Sequence, residues 1–392
     1  MSSTGLLNPT RSGTRLDGVD LLRGLAILFV LVNHVNGQLS KAGVPYARGL
    51  PRHVVYSVLF NGRFGVQIFF AVSGFLITST ALRRWGSLSI VDVRAFYRLR
   101  FARIVPLLLL LLGVLSILDL ANMRDFVVSP NLRGLARTLF AALTFRINVL
   151  IAYRGPIPAS WGILWSLSVE EVFYLFFPIV CRLHRRRNFL VGLFAVVVIL
   201  GPFGRTVFAN GNDLWKLYSY LGGMDAIALG CLTAMFTERT RFSARALRAF
   251  ALGGCALLIF SLYYSNQAGI WGLGRTGLNL TILAIGTCMI IVAAAQTQWR
   301  SPRIMWPLLR LGQRSYEVYL THIFVVLICF QVFLAVGKPL RGVVLLFVAV
   351  IVISGLFGEV AGRFYSEPMN RLLRKKWRDG PQRLGLVITN AT

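Results

Sequence analysis

The sequence predicts an all-α integral membrane protein, a polytopic bundle of about ten transmembrane helices. Of its 392 residues, 56% are hydrophobic and 14% are charged. The mean hydropathy is +0.67, which is too apolar for a soluble domain. Ten apolar runs come close to the roughly 20 residues that a helix needs to cross a bilayer. They cover residues 20–38, 62–82, 103–121, 161–181, 189–209, 217–236, 247–265, 277–295, 315–335 and 342–362.

The distribution of positive charge predicts how this bundle is oriented. The net charge is +28, from 42 Lys and Arg against 14 Asp and Glu, a balance that would suggest nucleic acid in a soluble protein. Here the basic residues lie between the apolar runs, where topology and anionic lipid account for them. With the N-terminus in the cytoplasm, most of them fall on the inner side. We therefore expect a multi-pass protein of a cell membrane, with both termini cytoplasmic, that contacts lipids and not nucleic acid.

The apolar run at 135–152 does not fit this regular pattern. Because it carries Arg137 and Arg146, we interpret it as an amphipathic or partial element. If this run were an eleventh span, every later connecting segment would lie on the opposite side of the membrane from the one predicted above. The basic runs at 182–187 and 237–245 would then face outward, against the positive-inside rule.

The chain is expected to consist of a cytoplasmic segment (1–19), a membrane-embedded domain (20–362) and a cytoplasmic basic tail (363–392). Its five cysteines occur singly, without a Cys-x-x-Cys pair. They therefore indicate neither a disulfide framework nor a zinc site, and we expect no metal.

The first apolar helix, DLLRGLAILFVLVNHVNG (20–37), contains two ionisable residues. Arg23 and His34 are eleven positions apart. At 100° a residue they lie about 20° from alignment on one face, and roughly 16 Å apart along the axis. Such groups inside a membrane usually face a protein interior or a water-filled cavity. The alternative is a snorkelling arginine with an interfacial histidine.

The second span begins NGRFGVQIFFAVSGFLI (61–77). Its glycines, Gly62, Gly65 and Gly74, allow a neighbouring helix backbone to approach closely.

The segment before the third span, VRAFYRLRFARIVP (93–106), carries two arginines. Arg100 and Arg103 are three residues apart and share a helix face. Two adjacent guanidinium groups can bind a phosphate in a bidentate manner. An anchor that contacts lipid headgroups is an equally good interpretation of this spacing.

The fourth span, ASWGILWSLSVEEVFYLFFPIV (159–180), carries a polar stripe. Ser166, Glu170 and Tyr174 recur every four residues. Glu170 lies roughly 13 Å along the helix from Trp161, where a carboxylate must be paired, hydrated or neutral. A functional site is the default interpretation, and a purely structural ion pair is the alternative.

Two later spans also carry polar residues. Asp225 lies in the sixth span and is a candidate partner for a buried arginine. In the ninth span Ser315, Tyr319 and His322 share one face. His322 is a second histidine within the membrane, and a catalytic role and a hydrogen-bonded packing role remain equally open for it.

Together these residues predict a polar path with cations at the inner mouth, a carboxylate partway and an imidazole toward the outer side. Two classes of function fit. One is a transferase that takes a phosphate-bearing donor from the cytoplasm and modifies an acceptor outside. The other is a proton-coupled transporter of a small polar or anionic solute.

Five blocks, in the expected order, identify a family that the chain resembles over roughly residues 15–365. They are RLDGVDLLRGLAILFVLVNH (15–34), GVQIFFAVSGFLI (65–77), FYRLRFARIVP (96–106), WSLSVEEVFY (165–174) and LGQRSYEVYLTH (311–322). The family is acyltransferase-3, the membrane O-acyltransferases. Its ten membrane spans agree with the number counted above.

The resemblance implies transfer of an acyl group, usually acetyl, from cytoplasmic acyl-CoA to a hydroxyl at the outer face. The acceptor would be a glycan, a glycolipid or a small molecule. The family's Arg and His with ten residues between them match Arg23 and His34. Its Arg-x-x-Arg pair matches Arg100 and Arg103, implied to hold the phosphates of CoA, and its acidic residue matches Glu170.

The chain departs from the family pattern at one site, because the usual Gly-Gly-Phe is Gly62-Arg63-Phe64 here. This change affects the packing or the acceptor selectivity of the region and leaves the class unaffected. Some members also carry a fused extracytoplasmic esterase-like domain, and we expect none in this chain.

The resulting hypothesis is a continuous passage in which the CoA arm reaches from the paired arginines to His34. His34 either takes a proton from the acceptor hydroxyl or accepts the acyl group itself, and both routes remain open. Glu170 would orient the imidazole or shuttle the proton, and Arg23 would stabilise charge or position the donor. Substrate-contacting or supporting roles are expected for Ser166, Tyr174, Tyr319 and His322.

Overall fold

The computed structural model is a helical bundle and describes residues 16–49, 51–128, 134–184, 186–209, 211–297 and 299–388. Within these ranges the regular structure is helical, with no β-strand. Ten helical segments there are long and apolar enough to cross a membrane, as the sequence predicted. They are α1 (Asp17–Lys41), α2 (Gly62–Trp85), α3 (Val93–Leu120), α4 (Ala159–Leu183), α5 (Arg187–Arg205), α6 (Asp213–Arg239), α7 (Ala244–Tyr263), α8 (Leu278–Thr297), α9 (Ser315–Ala335) and α10 (Leu340–Trp377).

Shorter helices connect these segments or precede them. They are Arg52–Leu59, Gly134–Leu143, Ile147–Arg154, Ser265–Ile270 and Trp306–Gln313. The first fifteen residues of the predicted N-terminal segment 1–19 lie outside the described ranges.

Helix α3 begins well before the apolar run that predicted it. It starts at Val93, where the side chain of Asp92 caps it by accepting a hydrogen bond of 3.0 Å from the backbone N–H of Ala95. Backbone hydrogen bonding can continue a helix past the apolar region. Arg100 and Arg103 therefore lie on a continuous helix.

The run at 135–152 forms two short helices rather than a span, as predicted. The helices Gly134–Leu143 and Ile147–Arg154 are separated by a turn in which Phe145 has a positive φ of 55°. Left-handed backbone geometry ends a helix, because few residues adopt it routinely. With 10 and 8 residues, neither piece is long enough to cross a bilayer.

The last spanning segment continues into the basic tail without a break. After the helix Val343–Ala361, a π-helical turn at Gly362–Ser366 leads into a helix over Glu367–Ile388. The tail helix packs against α3, where the rings of Phe101 and Trp377 lie 6.0 Å apart. It therefore reaches the same end of the bundle as Arg100.

Glycines set the close packing of α2, as predicted. A Cβ atom on Gly74 would lie 1.9 Å from the carbonyl oxygen of Ile227 on α6. One on Gly65 would lie 2.5 Å from the carbonyl oxygen of Ala26 on α1, and Gly62 is equally crowded. Helix α1 also contacts α8, α9 and α10, so α1 and α2 form the centre of the bundle.

A buried ion pair joins α5 to α6, as predicted for Asp225. Arg205 and Asp225 are both fully buried, and the guanidinium donates to both carboxylate oxygens at 3.0 and 2.8 Å. Thr281 and Gln67 also hydrogen-bond to this carboxylate. The charges satisfy each other within the protein, as burial in a membrane requires.

Candidate active site

A cavity of about 390 Å³, here called the lower cavity, lies among α1, α2, α3, α4, α9 and the tail helix. It contains most of the site residues that the sequence predicted. These are Arg23, Arg100, Arg103, Ser166, Glu170, Tyr174 and Tyr319. The polar stripe on α4 and two residues of the stripe on α9, Ser315 and Tyr319, therefore face one space. The third residue on α9, His322, lines neither this cavity nor the second cavity, which contains His34.

Glu170 lines the lower cavity together with a polar residue that sequence reasoning missed. This residue is Ser73, on α2, which faces the same space as Glu170 and Tyr174. It belongs to the SGFLI block of the second span, but nothing in its spacing there indicated contact with the fourth.

Arg100 already has protein partners. Its guanidinium lies 3.1 Å from a carboxylate oxygen of Glu171 and 3.8 Å above the ring of Tyr174. An arginine held by a carboxylate and an aromatic ring is less available to a phosphate. The predicted phosphate pair of Arg100 and Arg103 is therefore unequal, because only Arg103 has no carboxylate partner among the described residues.

Two further arginines at the mouth of the lower cavity were not predicted. Arg84, at the end of α2, and Arg374, on the tail helix, line it beside Arg103. All three are exposed, and in the described part of the chain none forms an ion pair with a carboxylate. Local spacing could not reveal this cluster, because its members are far apart in the sequence.

Arg23 lines the lower cavity from α1, with its side chain only 14% exposed. Its guanidinium lies 3.4 Å from a carboxylate oxygen of Asp20, one turn earlier on the same helix. The prediction that Arg23 faces the protein interior is thus confirmed by its position.

His34 lies in a second cavity, here called the upper cavity, of about 280 Å³. The paired arginines and His34 lie in two adjoining cavities, and one continuous passage between them stays a prediction. Among the described residues, Val66 and Tyr319 line both cavities, so they form the boundary where the two meet. Tyr319 is held there because its hydroxyl donates to the carbonyl of Ile163 at 2.9 Å and lies 2.6 Å from the hydroxyl of Ser166.

A second histidine packs directly behind His34. The ring centroids of His34 and His322 are 5.1 Å apart, and His322 is fully buried. The Nδ1 atom of His322 lies 2.6 Å from the carbonyl oxygen of Tyr319. Since a carbonyl only accepts, Nδ1 carries the proton and Nε2 is left as an acceptor. Nε2 has no hydrogen-bond partner within the described ranges.

The arrangement combines three chemical functions. Arginines at the lower mouth can hold an anionic group, and a carboxylate with two hydroxyls lies partway along. An imidazole in the upper cavity can accept a proton. Among the described residues, no group of three His, Cys, Asp or Glu side chains could hold a metal ion.

Comparison with known proteins gives one family and several relatives. A family model described as an acyltransferase domain matches residues 16–359. O-acetyltransferase OatA of Staphylococcus aureus strain NCTC 8325 is 25% identical over 385 residues, which cover 94% of this chain and 60% of OatA. A putative O-acetyltransferase of strain COL is 23% identical over 413 residues, covering 98% of this chain and 64% of the relative. No solved structure matches the chain.

The chain thus spans about three fifths of the length of these curated relatives. The matched region contains both cavities except for Arg374 of the tail helix. Because a single family model covers nearly the whole bundle, the chain belongs to the acyltransferase-3 family.

Proposed function

We propose that this protein is a membrane O-acyltransferase. It moves an acyl group, acetyl by preference, from acyl-CoA in the lower cavity to a hydroxyl of an acceptor in the upper cavity. One observation carries the proposal. His34 lies in a cavity that meets, at Val66 and Tyr319, a second cavity whose mouth has three arginines without a carboxylate partner among the described residues. The names of the O-acetyltransferase relatives support acetyl as the acyl group.

The donor enters from the lower mouth, which the sequence places in the cytoplasm. CoA carries several phosphate groups, and arginine binds phosphate with paired N–H donors. We assign this contact to Arg84, Arg103 and Arg374, which line the mouth without carboxylate partners in the described ranges. Arg100 instead positions the α3–α4 interface through Glu171.

The acyl group crosses the boundary at Tyr319. His34 takes the proton of the acceptor hydroxyl, whose oxygen attacks the thioester carbonyl. The C–S bond then breaks, and the thiolate of CoA leaves with a proton returned from the imidazole. In the second route the imidazole of His34 attacks the thioester carbonyl and the C–S bond breaks, so that the CoA thiolate leaves. The acceptor oxygen then attacks the acyl-imidazole, the C–N bond breaks, and the hydroxyl proton goes to the thiolate. Glu170 and Arg23 lie on the donor side of Tyr319, so we assign them to holding the thioester arm.

Substitution of His34 tests this proposal. The His34→Ala variant should lower acetyl transfer from acetyl-CoA by about 10²–10⁴-fold, the usual contribution of a general base. The control is His184→Ala, because His184 is exposed and packs only on Phe189 among the described rings. Radiolabelled acetyl-CoA with membranes from the producing cells gives the rate. Transfer by the His34 variant at the wild-type rate would refute the assignment.

A further inference from the structure

The upper cavity contains one guanidinium that the proposed chemistry does not use. Arg63 is in the first turn of α2 and lines the upper cavity together with His34. It belongs to the segment Gly62-Arg63-Phe64 at the start of this helix. It also lines a third cavity, of about 250 Å³, together with Lys216, Arg205 and Asp213. Among the described residues it forms no ion pair with the carboxylate of Asp213.

Among the described residues, Arg63 lacks the carboxylate partner that the half-buried Arg100 and the fully buried Arg205 both have. Arg100 is paired with Glu171, and Arg205 with Asp225. Within the described ranges, Arg63 donates to the backbone carbonyl of Lys216 at 3.2 Å and forms no ion pair with a carboxylate. A partly buried cation that has only a carbonyl as its partner is poorly compensated. An anionic ligand would compensate it.

The composition of the upper cavity agrees with such a ligand. Among the described residues that line it there is no Asp or Glu, so none of their side chains competes with a ligand for the guanidinium. The cavity wall also carries Trp165 and Tyr218, whose rings meet edge to face at 5.2 Å. Ligand sites commonly combine such apolar walls with a few polar groups that fix orientation.

Arg63 also lies away from the donor. The arginines that we assign to CoA line the lower cavity, which does not include Arg63. The α2 helix places Arg63 one turn before Val66, at the upper side of the boundary between the cavities. An anion bound to Arg63 therefore belongs to the acceptor.

We propose that Arg63 binds a carboxylate or phosphate group of the acceptor while His34 acts on a hydroxyl of the same molecule. The acceptor is then an acidic glycan or glycolipid rather than a neutral one. This inference rests on the proposed acyltransferase function and adds the class of acceptor. The free side of the guanidinium can hold either anion with two parallel N–H donors.

A comparison of acylated products in cells tests the class of acceptor. Strains that lack the gene, or carry it as wild type, Arg63→Gln or Arg154→Gln, are compared by mass spectrometry of surface glycans and lipids. Arg154 is the matched control, an exposed arginine that lines neither cavity. Wild type and Arg154→Gln should both yield acetylated molecules that carry a carboxylate or phosphate. Gene-dependent acetylation of neutral molecules alone would overturn the inference.

Kinetics with purified protein test the residue itself. The probes are acetyl-CoA with an oligouronate, with a phosphorylated oligosaccharide, and with the carboxyl-reduced form of the oligouronate. Wild type should prefer an anionic acceptor. Arg63→Gln should reduce the ratio of kcat/KM for the anionic and neutral acceptors by roughly 10- to 100-fold, mainly through KM. Arg63→Lys keeps the charge and should retain part of the preference, and it serves as the test if the Gln variant does not fold.

The outcomes separate this inference from the function on which it rests. If Arg63→Gln and wild type show the same ratio, or wild type prefers the neutral acceptor, Arg63 does not select an anion although the protein remains an acyltransferase. If wild-type cells contain no gene-dependent acylated molecule and acetyl-CoA does not bind, the proposed function itself fails. The two acidic probes distinguish carboxylate from phosphate.

Discussion

The chemical role of each arginine depends on whether a carboxylate lies within reach. Arg100 and Arg205 each bind one, and both therefore stabilise contacts between helices. Arg84, Arg103 and Arg374 have no carboxylate partner in the described ranges and lie together at the mouth of the lower cavity. Sequence spacing grouped Arg100 with Arg103, whereas the structure separates their environments.

Removal of the mouth arginines should weaken the binding of acetyl-CoA. The triple variant Arg84→Gln, Arg103→Gln, Arg374→Gln loses three exposed contacts of about 1 kcal/mol each, which together amount to roughly 100-fold in Kd. Isothermal titration calorimetry of the protein in nanodiscs measures this change.

The control for that variant is Arg371→Gln, on the same tail helix. Arg371 is 77% exposed, pairs with Glu367 and does not line the cavity, so its loss should leave Kd within about twofold. If the triple variant and the wild type bind acetyl-CoA with equal affinity, the arginines at the mouth are not part of the donor site. Absence of any CoA binding would favour the transporter alternative.

Helix α2 connects the two cavities, because its residues line both and its glycines fix its position against α1 and α6. Arg63 lies at its upper end, Val66 at the boundary and Arg84 at the lower mouth. A displacement of α2 would therefore change both cavities together.

Substitution of Gly74 should destabilise the bundle through this packing. In Gly74→Ala the new methyl group would overlap the carbonyl oxygen of Ile227, at 1.9 Å. Overpacking of this kind costs about 2–3 kcal/mol. The control is Gly113→Ala on α3, where a Cβ atom has nothing within 4 Å, and alanine should be neutral or slightly favourable. Thermal unfolding in one detergent compares them, and equal melting temperatures would contradict the close contact.

The ion pair of Arg205 and Asp225, between α5 and α6, should contribute to stability through charge compensation rather than through close packing. Arg205→Met leaves the fully buried carboxylate of Asp225 without its cation, and breaking such a pair costs about 3–5 kcal/mol. Arg371→Ala breaks only the exposed pair with Glu367 and should change stability by less than about 1 kcal/mol. Denaturant unfolding of both variants measures the difference. If Arg205→Met lowers the free energy of unfolding no more than Arg371→Ala does, the buried ion pair does not stabilise the bundle.

At the scale of the whole molecule, hydropathy predicted the ten helices, because each must satisfy its backbone within lipid. Helical spacing likewise predicted that the stripes of Glu170 and Tyr319 face an interior space. The sequence did not predict that Tyr319 lies where the two cavities meet, because its position depends on hydrogen bonds to residues of another helix. Arg84 and Arg374 come together at the mouth because the tail helix packs against α3. Packing between segments that are far apart in the sequence leaves no local sequence pattern.

The upper and lower cavities together make a prediction about where the donor binds. If acyl-CoA enters the lower cavity, its phosphates lie at the mouth and its acyl end lies at the boundary formed by Val66 and Tyr319. Both ends of one molecule are then fixed by residues far apart in the sequence.

An experimental structure of the protein with a non-hydrolysable thioether analogue of acetyl-CoA tests this account most directly. The account predicts phosphate density beside Arg84, Arg103 and Arg374, with the acyl end at Tyr319 facing His34. Phosphates bound elsewhere on the bundle, or an acyl end outside the two cavities, would contradict it.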